Sequence, residues 1–354
     1  MSAFTGTVLL TGANGFVASH ILRGLVERNY HIVATVRSPA KAEELIKLHP
    51  TWKSNITFSY VTNITAPGAY DPVFENHAFD YIINNASPLN FSATEIEKEV
   101  IDPAVQGTKG LIASAHKGGG PSLKRFVQLG SSVAIQDEFE DTSKPGKPYT
   151  EADWNPVTAE YAIENKNAVA GYNVSKKLSE RAVWNFMEEN KPAFDLVVIN
   201  PDIIIGPMLQ HVPGPRNVNE TNTFAVYNFL NGTYTDIDKV KFPFYHFVDV
   251  RDVALAHILA MTTPDAGGKR VILVSGSISP QLVVNAIRKN FPELRDRIVE
   301  GHPEQEQPPG LNPTGWDTRR SLELFGSQGF GYKALEDSVV DTVRSLLELE
   351  KGWK

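Results

Sequence analysis

A tyrosine and a lysine four residues apart, Tyr172-Asn-Val-Ser-Lys176, are the pair in this chain with the clearest chemistry. Residues at i and i+4 share a helix face, and the segment has the spacing of an amphipathic helix. A free tyrosine titrates near ~10. A neighbouring ammonium stabilises the phenolate and lowers that value, which makes Tyr172 a usable proton donor near neutral pH. Such pairs also arise by chance, so their surroundings decide. Upstream, an apolar run closes on Leu129-Gly130-Ser131-Ser132. A serine hydroxyl there is placed to hydrogen-bond a substrate carbonyl; simple turn chemistry is the bland alternative for both serines.

A second constellation opens the chain. The apolar run Thr7–Thr11 leads into Gly12-Ala13-Asn14-Gly15-Phe16-Val17-Ala18, and helical spacing follows over Phe16–Arg28. Gly12 permits a turn that a β-carbon obstructs, Gly15 admits a pyrophosphate against the backbone, and the small Ala18 lets helix and strand pack closely. The free N–H groups and dipole of the new helix attract phosphate. The second strand, His31–Val36, ends in Arg37 and Ser38, with Lys41 one turn on and no acid nearby. An acid at that point binds the ribose 2′-hydroxyl of NAD, whereas arginine accommodates the 2′-phosphate of NADP. NADP(H) is therefore the expected cofactor.

These side chains need a scaffold, and the rhythm of the chain supplies one. Short apolar runs at Ile56–Val61, Tyr81–Asn84, Phe126–Leu129, Leu196–Ile199 and Val271–Val274 alternate with helical stretches at Pro39–Leu48, Ala93–Lys117, Tyr172–Asn190 and Val248–Thr262. Such alternation predicts an α/β fold, a doubly wound parallel sheet of the Rossmann kind. The expected division is a dinucleotide-binding domain over 1–206, to which the chain returns at about 240–275. Residues 207–239 and 276–354 then make a smaller C-terminal substrate lobe. With 354 residues, one large unit plus a lobe suits the length. A net charge of −7 with both signs interspersed argues against nucleic acid or anionic membranes as partners. The absence of cysteine excludes disulfides, thiolate–metal sites and thiol nucleophiles. No signal segment is visible and no apolar run nears the ~20 residues of a membrane span, so a cytoplasmic protein, monomer or homodimer, is expected. The histidines show no metal-ligand spacing, and no metal is assigned. The run Asp137–Asp141 reads as a solvated loop.

With these pieces in order, the chain resembles the extended short-chain dehydrogenase/reductases. Further segments resemble its dihydroflavonol-reductase-like branch and the fungal NADPH-dependent aldehyde and ketone reductases of the methylglyoxal/isovaleraldehyde type. They are Ala86-Ser87-Pro88, Pro103-Ala-Val-Gln-Gly107-Thr108, Asn200-Pro201 with Gly206-Pro207, Val248-Asp-Val-Arg-Asp-Val-Ala254 with Ala256-His257, and the tail Ala334–Thr342. The resemblance implies Tyr172 as general acid, Lys176 holding the nicotinamide ribose and tuning Tyr172, and Ser132 orienting the carbonyl. It also implies cofactor contacts from Gly12, Asn14, Gly15, Phe16, Val17, Arg37, Lys41, Asn63, Ile64, Ala86, Ser87, Tyr172, Lys176 and Pro201. Asn63 stands where an aspartate is usual; its carbonyl is expected to accept from the adenine amine. The helix at Pro103–Thr108 offers no asparagine to complete a tetrad, so the proton relay is expected to run through ribose and water.

Apolar side chains at Leu89, Phe91, Val133, Val169 and Ile203 are the expected substrate pocket, suited to a hydrophobic aldehyde or ketone, though core packing is the competing account of each. The expected activity is hydride transfer to a small-molecule carbonyl. Two rivals remain: an epimerase or dehydratase acting on nucleotide sugars with retained NAD, and a non-catalytic dinucleotide sensor.

Overall fold

The computed structural model describes residues 3–353 apart from Leu89 and Pro145, so the expected pocket residue Leu89 lies outside the described residues. Strand β1 (Thr7–Leu10) is followed by α1 (Phe16–Glu27), β2 (His31–Val36), α2 (Pro39–Leu48), β3 (Ile56–Tyr60), α3 (Asp71–Asn76), β4 (Tyr81–Asn84), α4 (Asp102–Gly118) and β5 (Arg125–Leu129). Helices α5 (Ala159–Glu164) and α6 (Ala168–Asn190) lead to β6 (Asp195–Pro201) and β7 (Ile203–Ile205). Two short helices, α7 (Glu220–Asn222) and α8 (Asn228–Leu230), precede β8 (His246–Asp249), α9 (Val250–Thr262), β9 (Lys269–Leu273) and β10 (Gly276–Ser277). Helices α10 (Pro280–Asn290), α11 (Arg319–Phe325) and α12 (Leu335–Glu350) complete the chain.

Seven strands form one sheet in the order β3-β2-β1-β4-β5-β6-β9, every neighbouring pair parallel. The strands are apolar runs because both faces are covered. Val8, Ile32, Val127 and Val271 pack with α1 and α9 on one face, while Leu9, Val33, Ile82 and Phe126 pack with α3, α4 and α6 on the other. This is the doubly wound α/β fold expected from the alternation. Strand order reverses between β1 and β4, and ligands in such sheets bind at that switch point, outside the carboxyl ends of the strands.

A second core lies beyond the sheet. Ile205, Phe229, Phe247, Val283, Ile287, Val339 and Leu346 are fully or almost fully buried together, around a small sheet in the order β10-β8-β7. Arg251 clamps the two parts: it pairs with Asp249 at 2.7 Å and with Asp341 of α12 at 2.6 Å.

Three boundaries depart from the sequence reading. Val248 and Asp249 end β8, and the Asp249 carboxylate caps α9 by accepting from the Arg251 N–H at 2.8 Å. The stretch expected as one helix from Ala93 carries a wide turn at Glu97–Ile101 before α4 begins at Asp102. Pro103, lacking an N–H, is tolerated in that first turn of α4. Helix α6 starts a turn before Tyr172, because Asn167 accepts from the N–H groups of Val169 and Ala170. Among the described residues no helix is long and apolar enough to cross a membrane.

Helix α6 is fixed to the sheet by a buried ion pair. Glu180 holds Arg270 of β9 at 2.6 Å, with side-chain exposures of 1% and 8%. Asn200 of β6 donates to Glu180 at 2.8 Å and to the Ser131 carbonyl at 3.1 Å. Glu180→Ala strands the buried Arg270 and frees the Asn200 amide. It is expected to cost about 3–5 kcal/mol of stability, seen as a lowered melting temperature and urea midpoint. Glu180→Gln keeps the shape and one accepting oxygen but turns an NH2 toward donors of Arg270 and its neighbours; it is expected to fall less than the alanine variant.

Candidate active site

The carboxyl ends of β1, β2 and β4 open onto a cleft of about 560 Å³. Gly12, Asn14, Gly15, Arg37, Lys41, Ile64, Ala86 and Ser87 line it, together with Thr35, Val36, Ser38, Val61, Asn85 and Pro88, which the sequence reading did not assign to the cofactor. Gly12 has φ +63°, and a β-carbon there would lie 3.1 Å from the Ala86 backbone. One on Gly15 would lie 3.2 Å from the Gly12 carbonyl. The cradle is therefore open only because both residues are glycine. Its far wall is set by Thr11, whose hydroxyl donates to Asn84 at 2.7 Å and accepts from the N–H groups of Asn85 and Ala86 at 3.0 and 2.9 Å. The Asn85 side-chain oxygen is buried and unpartnered, an acceptor left free beside the cleft. Shape, free N–H groups at the start of α1 and a cationic rim suit a dinucleotide diphosphate, and the spare acceptor suits a ribose hydroxyl rather than the phosphates.

Other expected cofactor residues stand apart from the cleft lining. Asn63 already accepts from the backbone and hydroxyl of Thr65, at 3.0 and 2.8 Å. This corrects the expectation that its carbonyl is free for adenine. Phe16 packs against both apolar cores, and Val17 is buried in the first. Pro201 ends β6 opposite Leu273.

A second cavity of about 290 Å³ adjoins the ends of β5 and β6. Of the expected pocket residues, Phe91, Val133, Val169 and Ile203 converge on it, with Ser131, Ser132 and Tyr172. Asp202, Thr221, Phe224 and Phe244 also line it and were not anticipated. The Phe91 ring meets Tyr172 edge-on at 5.4 Å.

Lys176 reaches within 5.6 Å of the Tyr172 ring centre. Both residues keep some exposed surface, yet the surroundings of their ionising atoms are crowded. Burial pushes the tyrosine up to about 12 and the lysine down to about 8. This corrects the expectation that Lys176 depresses Tyr172: desolvation dominates, and only the Ser131 hydroxyl, donating to the phenolic oxygen, offsets it.

The two serines, both on the cavity lining, differ in their surroundings. It is the Ser131 hydroxyl that acts on Tyr172, drawing its pKa down. Ser131 is still extended, φ −162° and ψ 150°, and faces the cavity. Ser132 begins a tight turn over Ser132–Ala134, which swings its hydroxyl onto the Asp202 carboxyl. The acidic loop also differs from the solvated run expected. Glu140 is half-buried and accepts from the Thr314 N–H at 2.7 Å and from the Tyr149 hydroxyl at 3.0 Å. It thereby pins the excursion after β5 to the segment before α11.

Comparison with known proteins gives consistent matches over the full length. A family model described as the NAD dependent epimerase/dehydratase family matches residues 8–275. The chain is 35% identical over 352 residues to the ketoreductase azaE of Aspergillus niger, covering 98% of this chain and 99% of that protein. It is 31% identical over 350 residues to the NADPH-dependent methylglyoxal reductase GRE2 of Saccharomyces cerevisiae, covering 97% and 99%. The crystal structure of yeast methylglyoxal/isovaleraldehyde reductase complexed with NADPH superposes with a TM-score of 0.88 at 28% identity, covering 98% of this chain and 99% of that one.

Proposed function

The chain belongs to the NAD dependent epimerase/dehydratase family, and we propose that it works there as an NADPH-dependent carbonyl reductase turning an apolar aldehyde or ketone into the alcohol. The observation that carries this reading is the meeting of Tyr172 and Ser131 in a largely apolar cavity beside a dinucleotide cleft. The relatives named as ketoreductase and NADPH-dependent reductase support it. When bound, NADPH supplies the hydride; Gly12, Gly15, Arg37 and Ser87 are the residues to hold it.

The chain's own groups do the rest. With substrate bound, the Ser131 hydroxyl turns its proton from Tyr172 to the substrate carbonyl oxygen, to which Tyr172 also donates, and the two polarise it. As charge builds on that oxygen, Tyr172 gives up its proton. Lys176, the nearest cation, steadies the phenolate that results. Phe91, Val133 and Ile203 keep water from the reacting centre, which strengthens each of these interactions. In the division of labour we propose, 1–206 with 240–275 holds the cofactor, while 207–239 and 276–354 shape the substrate end. Thr221 and Phe224 reach the cavity from that smaller part.

NADPH oxidation against a panel of aldehydes, diketones, keto esters and aryl ketones tests the reading; no consumption across the panel would sink it. The serines sharpen the test. Ser131→Ala is expected to lower kcat roughly 100-fold, whereas Ser132→Ala leaves the polarising contact in place and costs far less. The reverse order would return the role to Ser132. The epimerase alternative predicts NAD retained through purification, visible in the absorbance spectrum, and Arg37 at the end of β2 speaks against it.

A further inference from the structure

The substrate cavity contains a carboxyl group that the reduction itself does not use. Asp202 follows the last residue of β6 and is 5% exposed, on the lining of the cavity that holds Tyr172. Its Oδ1 accepts from the Ile203 N–H at 2.8 Å, and the Ser132 hydroxyl donates to the same carboxyl. Its Oδ2 is buried without any partner. No lysine, arginine or histidine is among the residues lining this cavity. A carboxyl in such a place, with one oxygen idle, is costly unless something completes it.

We propose that Asp202 Oδ2 is the specificity group of the cavity, accepting a hydrogen bond from a hydroxyl or ammonium carried by the substrate close to its reacting carbonyl. Three observations set the class of ligand. Both groups already bonded to the carboxyl address it as an acceptor, so what Oδ2 lacks is a donor. The position shares a cavity with the chemistry: Tyr172, Ser131, Ser132 and Asp202 all line the same space of about 290 Å³. A single small molecule in that space is thus placed to meet both, its carbonyl at Tyr172 and its donor at Asp202. Finally, the side chains lining the cavity away from Lys176 carry negative charge only. Glu220 sits on the same lining, and an adjoining cavity that shares Val133, Val169 and Phe244 is lined by Asp137, Glu138 and Glu140. Keto acids are disfavoured by the same charges. Burial lifts Asp202 to about 7, so an arriving cation finds a group readily converted to its ionised form.

This inference rests on the reductase reading, and the experiment separates the two. NADPH oxidation by the whole protein is measured with four ketones of nearly one size: hydroxyacetone, aminoacetone, butanone and pyruvate. Wild-type kcat/KM is expected to favour the first two over butanone, with pyruvate lowest. Asp202→Val is expected to remove that preference, lowering the two donor-bearing substrates roughly 10- to 100-fold against butanone. Asp202→Asn leaves its oxygen to the Ile203 N–H and turns an uncharged NH2 to the idle position, from which a hydroxyl can accept and an ammonium cannot; it is expected to retain hydroxyacetone and lose aminoacetone, and it serves should the valine variant misfold. A fall of equal size on all four substrates makes Asp202 a structural residue and overturns the proposal. So does a wild-type preference for butanone or pyruvate. Butanone turnover by the wild type leaves the reductase reading standing in either event.

Discussion

Tyr172→Phe is expected to lower turnover roughly 100- to 10,000-fold while NADPH still binds, as judged by fluorescence titration. The substitution removes one oxygen and nothing else. The ring that Phe91 meets edge-on at 5.4 Å stays in place, and Tyr172 is not among the residues lining the dinucleotide cleft. The loss thus falls on kcat, the mark of an interaction made in the transition state. The wild-type pH profile carries the same logic. With its pKa raised to about 12, Tyr172 is fully protonated at neutral pH, the state a donor requires. Lys176, lowered to about 8, loses its charge first as pH rises. Reduction is therefore expected to hold level below pH about 7 and decline through about 8. Retained turnover in Tyr172→Phe would refute the assignment.

What the sequence conveyed follows from which features are local. The glycine turn was legible because one short stretch contains the strand end, both glycines and the helix start that the physics needs. The strands were legible because burial on both faces leaves uninterrupted apolar runs. The serine pair was readable only to within one residue. Side chains near a strand end alternate sides, so a shift of one exchanges the facing hydroxyl for its neighbour. Where β5 stops and the tight turn begins is decided by packing around Asn200, Glu180 and Arg270, three residues far apart in the chain. Asp202 was illegible for a related reason. An aspartate after a proline reads as turn chemistry, and nothing local says that Ser132, 70 positions earlier, will meet it inside a cavity. Phe224 and Phe244 likewise reach the pocket through the second core, which no periodicity announces.

Arg37→Ala is expected to raise KM for NADPH roughly 10- to 100-fold and to move KM for NADH by no more than a few-fold, leaving kcat with either cofactor near its wild-type value. Arg37 stands just past β2 on the rim of the dinucleotide cleft, exposed and in no ion pair among the described residues. Lys41 shares that rim but is already held by Glu44 at 2.7 Å. The uncommitted charge on the rim is thus the guanidinium, and its planar fork matches a phosphate in two bonds at once. A contact present in ground state and transition state alike shifts KM and spares kcat. Because the site faces solvent, the advantage should shrink as salt rises. Arg37→Lys keeps the charge without the fork and is expected to fall between the two. Lys41→Ala, removing a cation already neutralised by its neighbour, should cost less than Arg37→Ala. If NADPH and NADH weaken together in Arg37→Ala, the residue supports the cleft as a whole, and the choice between the two cofactors must lie in Thr35, Ser38 or Lys41 instead.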